Sequence, residues 1–152
     1  MELSAVGLEL LKKAEGFRGR VYKDIAGLTT IGYGHRIGPG ELFPTEISEE
    51  TAEAILQRDV SEAEQAVARL VKVPLTQGQF DALVDFTFNL GASRLRDSTL
   101  LQLLNDGDYG AAGRQLMHWD HSGTREVPAL EARREAELGL WTGNPVHQTA
   151  EA

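Results

Sequence analysis

The chain has 152 residues, 41% of them hydrophobic and none of them cysteine, with a formal net charge of −8. That length suffices for one sizeable core or two small lobes sharing a connecting element, and the missing thiols exclude disulfides, cysteine nucleophiles and thiolate metal sites. The acidic total argues against nucleic acid as a partner, and no apolar run is long enough to span a bilayer. The first segment, "MELSAVGLELLKKAEG", places Leu3, Val6, Leu8 and Leu11 on one helical face, with Ser4 as N-cap and Gly16 as the stop. Glu2, Glu9 and Lys12 interrupt it, so it reads as neither signal peptide nor anchor, and synthesis in the cytoplasm without an export signal is expected. Glu15 falls in the last turn, where the peptide dipoles disfavour a carboxylate by a few tenths of a kcal/mol. An acid there asks for a reason.

After Gly16 the pattern turns extended. Residues 20–23 and 28–31 are short β-prone runs flanking "DIAG", which predicts a hairpin, and a third strand is expected near 33–35, where Gly32 and Gly34 flank Tyr33. A Gly- and Pro-containing loop covers 37–47, and from Ser48 the chain reads as helical to its end. The first of these helices, over 48–71, is about 36 Å long with polar faces, as suits a link between two lobes. Thr76 and Gln79 form a capping box for a helix ending at Gly91, Ser98 and Asp108 cap the next two, and Pro128 opens the last. Residues 144–152 are expected to form a frayed tail.

The charge is uneven along this layout. Residues 1–36 carry six cations against four acids, whereas 41–64 sets eight acids against Arg58 alone. The basic first segment also holds Glu15 at a helix end, Asp24 in the hairpin turn and Thr30 on the returning strand. Two carboxylates in unlike surroundings are what glycoside hydrolysis needs, one protonated and one ionised, and a stiff β-branched hydroxyl is suited to orienting a water. The same residues also have plain structural readings: a solvated helix end, turn geometry and β propensity. Spacing does not choose between the two.

The string E-G-x-R-x-x-x-Y-x-D-x-x-G-x-x-T-I-G-Y-G-H, from Glu15 to His35, closely resembles the active-site segment of the phage-type lysozymes (endolysins), the muramidases of glycoside hydrolase family 24. "LTQGQFDALVDFTFNLG", "STLLQLLNDGDY" and "W…EARREAELGLW" resemble that family's C-terminal lobe, so the likeness covers about residues 4–142. It implies an α+β, two-lobed lysozyme fold in a single domain over 1–143. A small antiparallel sheet lobe (about 12–47) would be joined by the long helix (about 48–71) to a helical lobe (about 72–143) on which the first helix packs. It implies that Glu15 is the general acid, Asp24 the second carboxylate and Thr30 the residue positioning the attacking water. The reaction would cleave the β-1,4 bond between N-acetylmuramic acid and N-acetylglucosamine with inversion, without cofactor, by a monomer acting on bacterial peptidoglycan after release by a membrane-permeabilising partner such as a holin. The membrane itself is not expected to be entered.

The resemblance also implies an ion pair between His35 and Asp59 tying hairpin to long helix, and cleft-lining positions for Phe88 and Ser98, with Asn89 beside Phe88. Phe88 as core and Ser98 as a cap are the alternatives. Arg133 and Arg134 match paired arginines, whose forked guanidinium fits carboxylates bidentately and suggests a structural link between lobes. His118 and His121 form an H-x-x-H around Asp120, but without further ligands nearby no metal is expected. Ala129 departs from a glycine common in relatives. Two rivals remain: a lytic transglycosylase, against which Asp24 and Thr30 both argue, and an inactive wall-binding module, against which Glu15 argues.

Overall fold

The computed structural model describes residues 1–24, 26–122 and 125–143. Helix α1 (Ala5–Glu15) is capped by the Ser4 side chain, which accepts from the Gly7 amide, and stops where the Gly16 amide donates to the Lys12 carbonyl. A three-stranded antiparallel sheet follows, β1 (Arg18–Lys23), β2 (Thr29–Gly32) and β3 (His35–Arg36), in that order, with Tyr22 opposite Thr30 and Ile31 opposite His35. The third strand begins at His35 rather than at Tyr33, because Tyr33 and Gly34 form the tight turn before it. Gly34 sits at φ +72°, a left-handed conformation that a side chain rarely adopts.

Helix α2 (Glu49–Leu70) starts at Ser48 and runs 22 residues, about 33 Å, between the sheet and the helical lobe. Its buried stripe of Ala52, Ile55, Leu56, Val60, Ala63, Ala66 and Val67 recurs at helical spacing, leaving the acids on the remaining faces. Helix α3 (Gln77–Leu90) begins with both halves of the capping box in place, Thr76 accepting from the Gln79 amide and Gln79 accepting from the Thr76 amide. Residues 80–87 of α3 are all buried, so this helix is the axis of the helical lobe. Its two buried acids therefore need partners. Asp81 takes the Ser4 hydroxyl, the Ser4 amide at 3.0 Å and Gln77 Nε2 at 2.8 Å, which pins α1 to the helical lobe.

Four shorter pieces complete that lobe: α4 (Ala92–Arg96), α5 (Thr99–Asn105), α6 (Tyr109–Gln115) and a 3₁₀ turn at Leu116–His118. A small hairpin, β4 (His121–Ser122) paired with β5 (Arg125–Glu126), lies between the helix capped by Asp108 and the one opened by Pro128, where the sequence announces no strand. Two-residue strands carry no periodicity to read. Helix α7 (Pro128–Thr142) packs along α3, and at Gly78 the approach is so close that a Cβ would fall 2.1 Å from the Leu140 carbonyl oxygen. Leu11, Ile31, Leu56, Val67, Leu83, Phe86 and Leu100 belong to one continuous core running from the first helix and sheet into the helical lobe.

Candidate active site

Glu15 ends α1 with its side chain only 16% exposed. Arg133 Nη1 donates to Glu15 Oε2 at 2.7 Å, across 118 residues of sequence, while Arg133 Nε and Nη2 donate to Asp85 Oδ2 and Oδ1, both at 2.9 Å. The cation paired with this helix-end carboxylate thus comes from α7. On its other side Glu15 abuts the Tyr33–Gly34 turn, where a Cβ at Gly34 would lie 2.2 Å from Glu15 Oε1. A side chain at that position would displace the carboxylate.

Asp24 is fixed by its own turn. Its Oδ1 accepts from the Ala26 amide at 2.9 Å and the Leu28 amide at 2.8 Å, and Arg36 Nε donates to Oδ2 at 3.3 Å. Thr30, 1% exposed, donates its hydroxyl to the Leu28 carbonyl at 2.8 Å, which ties strand β2 to the same turn. Tyr22 pairs with Thr30 in the sheet. Its phenol is pushed above the ordinary value of 10.0 first by burial, then by the charge of Glu15, with Asp24 adding to the effect. Asp24 and Thr30 thus lie toward the hairpin end of the sheet and Glu15 toward the other, beside the Tyr33–Gly34 turn, with Tyr22 feeling the charge of both carboxylates.

Gly34 also lines a cleft of about 330 Å³ between the sheet, α2 and α3, whose walls include His35, Asp59, Thr87, Phe88 and Gly91. Phe88 thus faces the cleft, partly buried against the core. Asn89 accepts from Arg134 Nη2 at 2.9 Å. Ser98 is buried, its hydroxyl donating to the Leu95 carbonyl at 2.7 Å and accepting from the Leu101 amide at 3.0 Å, so it caps α5. His35 Nδ1 lies 2.7 Å from Asp59 Oδ2, and its Nε2 lies 3.0 Å from Glu41 Oε1. Burial disfavours the imidazolium, but the two carboxylates outweigh it and raise His35 above 6.5. The Gly38 amide, 2.6 Å from Glu41 Oε1, and then His35 lower Glu41 below its ordinary 4.5.

Glu41 as the second partner of His35, and Asp85 and Glu137 behind Arg133, escape a reading of the sequence. The signal for Asp85 was available: acids at 81 and 85 recur one helical turn apart inside the apolar "FDALVDFTF". Glu137 is fully buried beside Arg134, which donates to its Oε2 at 2.8 Å. Among the described residues no three His, Asp or Glu side chains converge as metal ligands; the His121 side chain lies outside them, as does the expected tail at 144–152.

Glu15, Asp24 and Thr30 do not themselves line the cleft; Glu15 abuts its wall at Gly34 and Asp24 is bonded to its wall at Arg36. A small sheet lobe, a long linking helix and a helical lobe with a cleft between them define the lysozyme class of glycoside hydrolases. The chain belongs to the phage lysozyme family, whose sequence model matches residues 12–137. It is 40% identical over 147 residues to an endolysin of Acyrthosiphon pisum secondary endosymbiont phage 1, covering 93% of this chain and 98% of that protein. It is 42% identical over 144 residues to an endolysin of Bacillus phage B103, covering 93% of this chain but only 54% of that relative, so the chain spans about half of its length. Among solved structures, the muramidase domain of SpmX from Asticcacaulis excentricus superposes with a TM-score of 0.81 at 33% identity, over 92% of this chain and 97% of that one.

Proposed function

We propose that the protein is an endolysin-type muramidase that hydrolyses the β-1,4 bond between N-acetylmuramic acid and N-acetylglucosamine in bacterial peptidoglycan, with inversion. The observation that carries this reading is the pair of differently held carboxylates beside one cleft: Glu15 between Arg133 and Gly34, and Asp24 locked by the amides of its turn. In this reading Glu15, protonated, gives its proton to the glycosidic oxygen as the bond to the anomeric carbon breaks. Asp24, kept ionised, receives the proton of the water that attacks the opposite face, and Thr30 positions that water. Phe88 supplies an apolar wall for a sugar ring, Asn89 stands next to it in sequence as a further substrate-facing candidate, Ser98 serves as the α5 cap, and the His35–Asp59 pair is structural.

Residues 1–143 form the working unit, as a monomer needing no cofactor. No described helix is long and apolar enough to cross a membrane, which supports passage to the wall through a lesion made by a holin-type partner. Mass spectrometry of fragments from purified peptidoglycan tests the reading, with Glu15→Gln and Asp24→Asn in parallel. Hydrated, reducing muramic acid ends that disappear in Glu15→Gln are expected. Anhydro ends would assign a transglycosylase instead, and the absence of fragments from the unmodified protein would leave a wall-binding module.

A further inference from the structure

Behind Glu15 lies a chain of buried ionic groups that the hydrolytic reading leaves unused. Arg133 is 6% exposed at its side chain and Asp85 1%, and the two are joined by two parallel hydrogen bonds of 2.9 Å, leaving one guanidinium nitrogen to reach Glu15. Glu137 and Arg134, both fully buried, stand behind them on α7, with Asn89 of α3 as the neutral neighbour of Arg134. A buried set of charges is a poor source of stability, since its desolvation offsets most of the attraction. What it does fix is orientation, because a fork held at two nitrogens cannot swing its third.

We propose that Asp85 is a positioning residue for the acid at Glu15: through its two bonds to Arg133 it aims that guanidinium at Glu15 and balances its charge, so the pH range in which Glu15 can donate a proton is set from inside the helical lobe. The proposal rests on Glu15 acting as the general acid. The charged and titratable groups around the path are Glu15 of α1, Tyr22 of β1, Asp85 of α3, and Arg133, Arg134 and Glu137 of α7. Two arginines against Glu15, Asp85 and Glu137 leave one acid too many for neutrality, and burial favours the proton on Glu137. Arg134 faces both Glu137 oxygens, its Nε 2.8 Å from Oε1 and its Nη2 donating to Oε2 at 2.8 Å, and the carboxyl is fully buried. Burial, against the pull of Arg134, pushes Glu137 well above 4.5; burial also opposes the charge on Asp85, but Arg133 and the proton offered by Glu137 hold it below 3.8. Glu137 is then a neutral donor to Asp85, and Asp85 is the counter-charge of Arg133.

The comparison that isolates Asp85 is Glu137→Gln against Glu137→Gln with Asp85→Asn, because in Asp85→Asn alone Glu137 is free to ionise and take over the lost charge. Glu137→Gln replaces a neutral carboxyl by a neutral amide and should leave the alkaline limb of the kcat/KM–pH profile in place. Adding Asp85→Asn leaves Arg133 unbalanced beside Glu15, favours the ionised carboxylate, and should move that limb about one pH unit or more toward acid, with circular dichroism confirming the fold. An unmoved limb, or one displaced toward alkali, overturns the proposal. The Glu15 carboxyl-carbon titration, followed by NMR in both variants, reads the same displacement without relying on turnover. It therefore separates this proposal from the catalytic reading, which falls by itself if Glu15→Gln remains active. Should the double variant not fold, the unmodified protein decides: Asp85 must stay ionised throughout the Glu15 titration, and Asp85 taking up its proton first refutes the assignment.

Discussion

Gly34 shows how one missing side chain shapes the site. Its positive φ makes the turn before β3, and its bare Cα lets Glu15 pack where a Cβ would fall 2.2 Å away. Gly34→Ala should therefore displace the carboxylate and lower kcat about 100-fold, while backbone strain costs about 1–3 kcal/mol in urea unfolding. Wild-type turnover in that variant would show that the Glu15 position tolerates the shift. His35 allows a signed pH prediction. Its value is raised above 6.5 in the fold, so its contribution is complete below 6.5 and lost as pH rises through the raised value. Glu41 is lowered below 4.5, so its contribution is complete above 4.5 and lost as pH falls through the lowered value. The stability gap between the natural protein and His35→Asn, roughly 2 kcal/mol for hydrogen bonds to a charged ring, should peak between pH 4.5 and 6.5 and narrow on both sides. A gap independent of pH would show that packing of the ring, including its edge contact with Phe43, is what matters.

Among the elements, caps decide much of the layout, and Ser98 is the one whose role can be split by experiment. It bridges the end of α4 and the start of α5 through two hydrogen bonds while 7% exposed. Ser98→Ala should cost about 1–2 kcal/mol by chemical denaturation and leave kcat/KM per folded molecule unchanged. A raised KM at unchanged stability would instead give Ser98 a direct part in the cleft. The elements legible in the sequence are those with local signals: α1 with Ser4 and Gly16, α2 with Ser48 and a long buried stripe, and α3 with its capping box. Strand β3 is expected but placed two residues early, the strands of the β4–β5 hairpin, two residues each, are too short to carry a period, and the five-residue α4 has no side-chain cap to announce it. The site divides in the same way. Glu15, Asp24 and Thr30 fall within one short motif, whereas the contacts that hold Glu15 come from Arg133, 118 positions on, and Asp85 behind it. Local pattern is silent about such partners; a buried acid inside an apolar helix is the one hint it leaves.

At the scale of the whole molecule the charge distribution opposes the substrate. The chain carries −8, and α2 alone holds six acids against Arg58 and Arg69, while the bacterial wall is itself anionic. The edge strand β1 exposes Arg18, Arg20 and Lys23. At about 10 mM salt the screening length is about 30 Å, comparable to the length of α2, so the wall meets the net charge; near 0.15 M it is about 8 Å and contact is governed by the nearest groups. Wall hydrolysis should accordingly rise a few-fold between those salt concentrations, whereas cleavage of a short uncharged oligosaccharide should change little. Replacing Arg18, Arg20 and Lys23 together by glutamine should leave oligosaccharide cleavage intact and lower wall hydrolysis most near 0.15 M, where their local attraction is no longer masked by repulsion from the rest of the chain. Activity that falls steadily from the lowest salt upward would mean that attraction through β1 already dominates at long range. In that case the acids of α2 must point away from the wall when the cleft engages it.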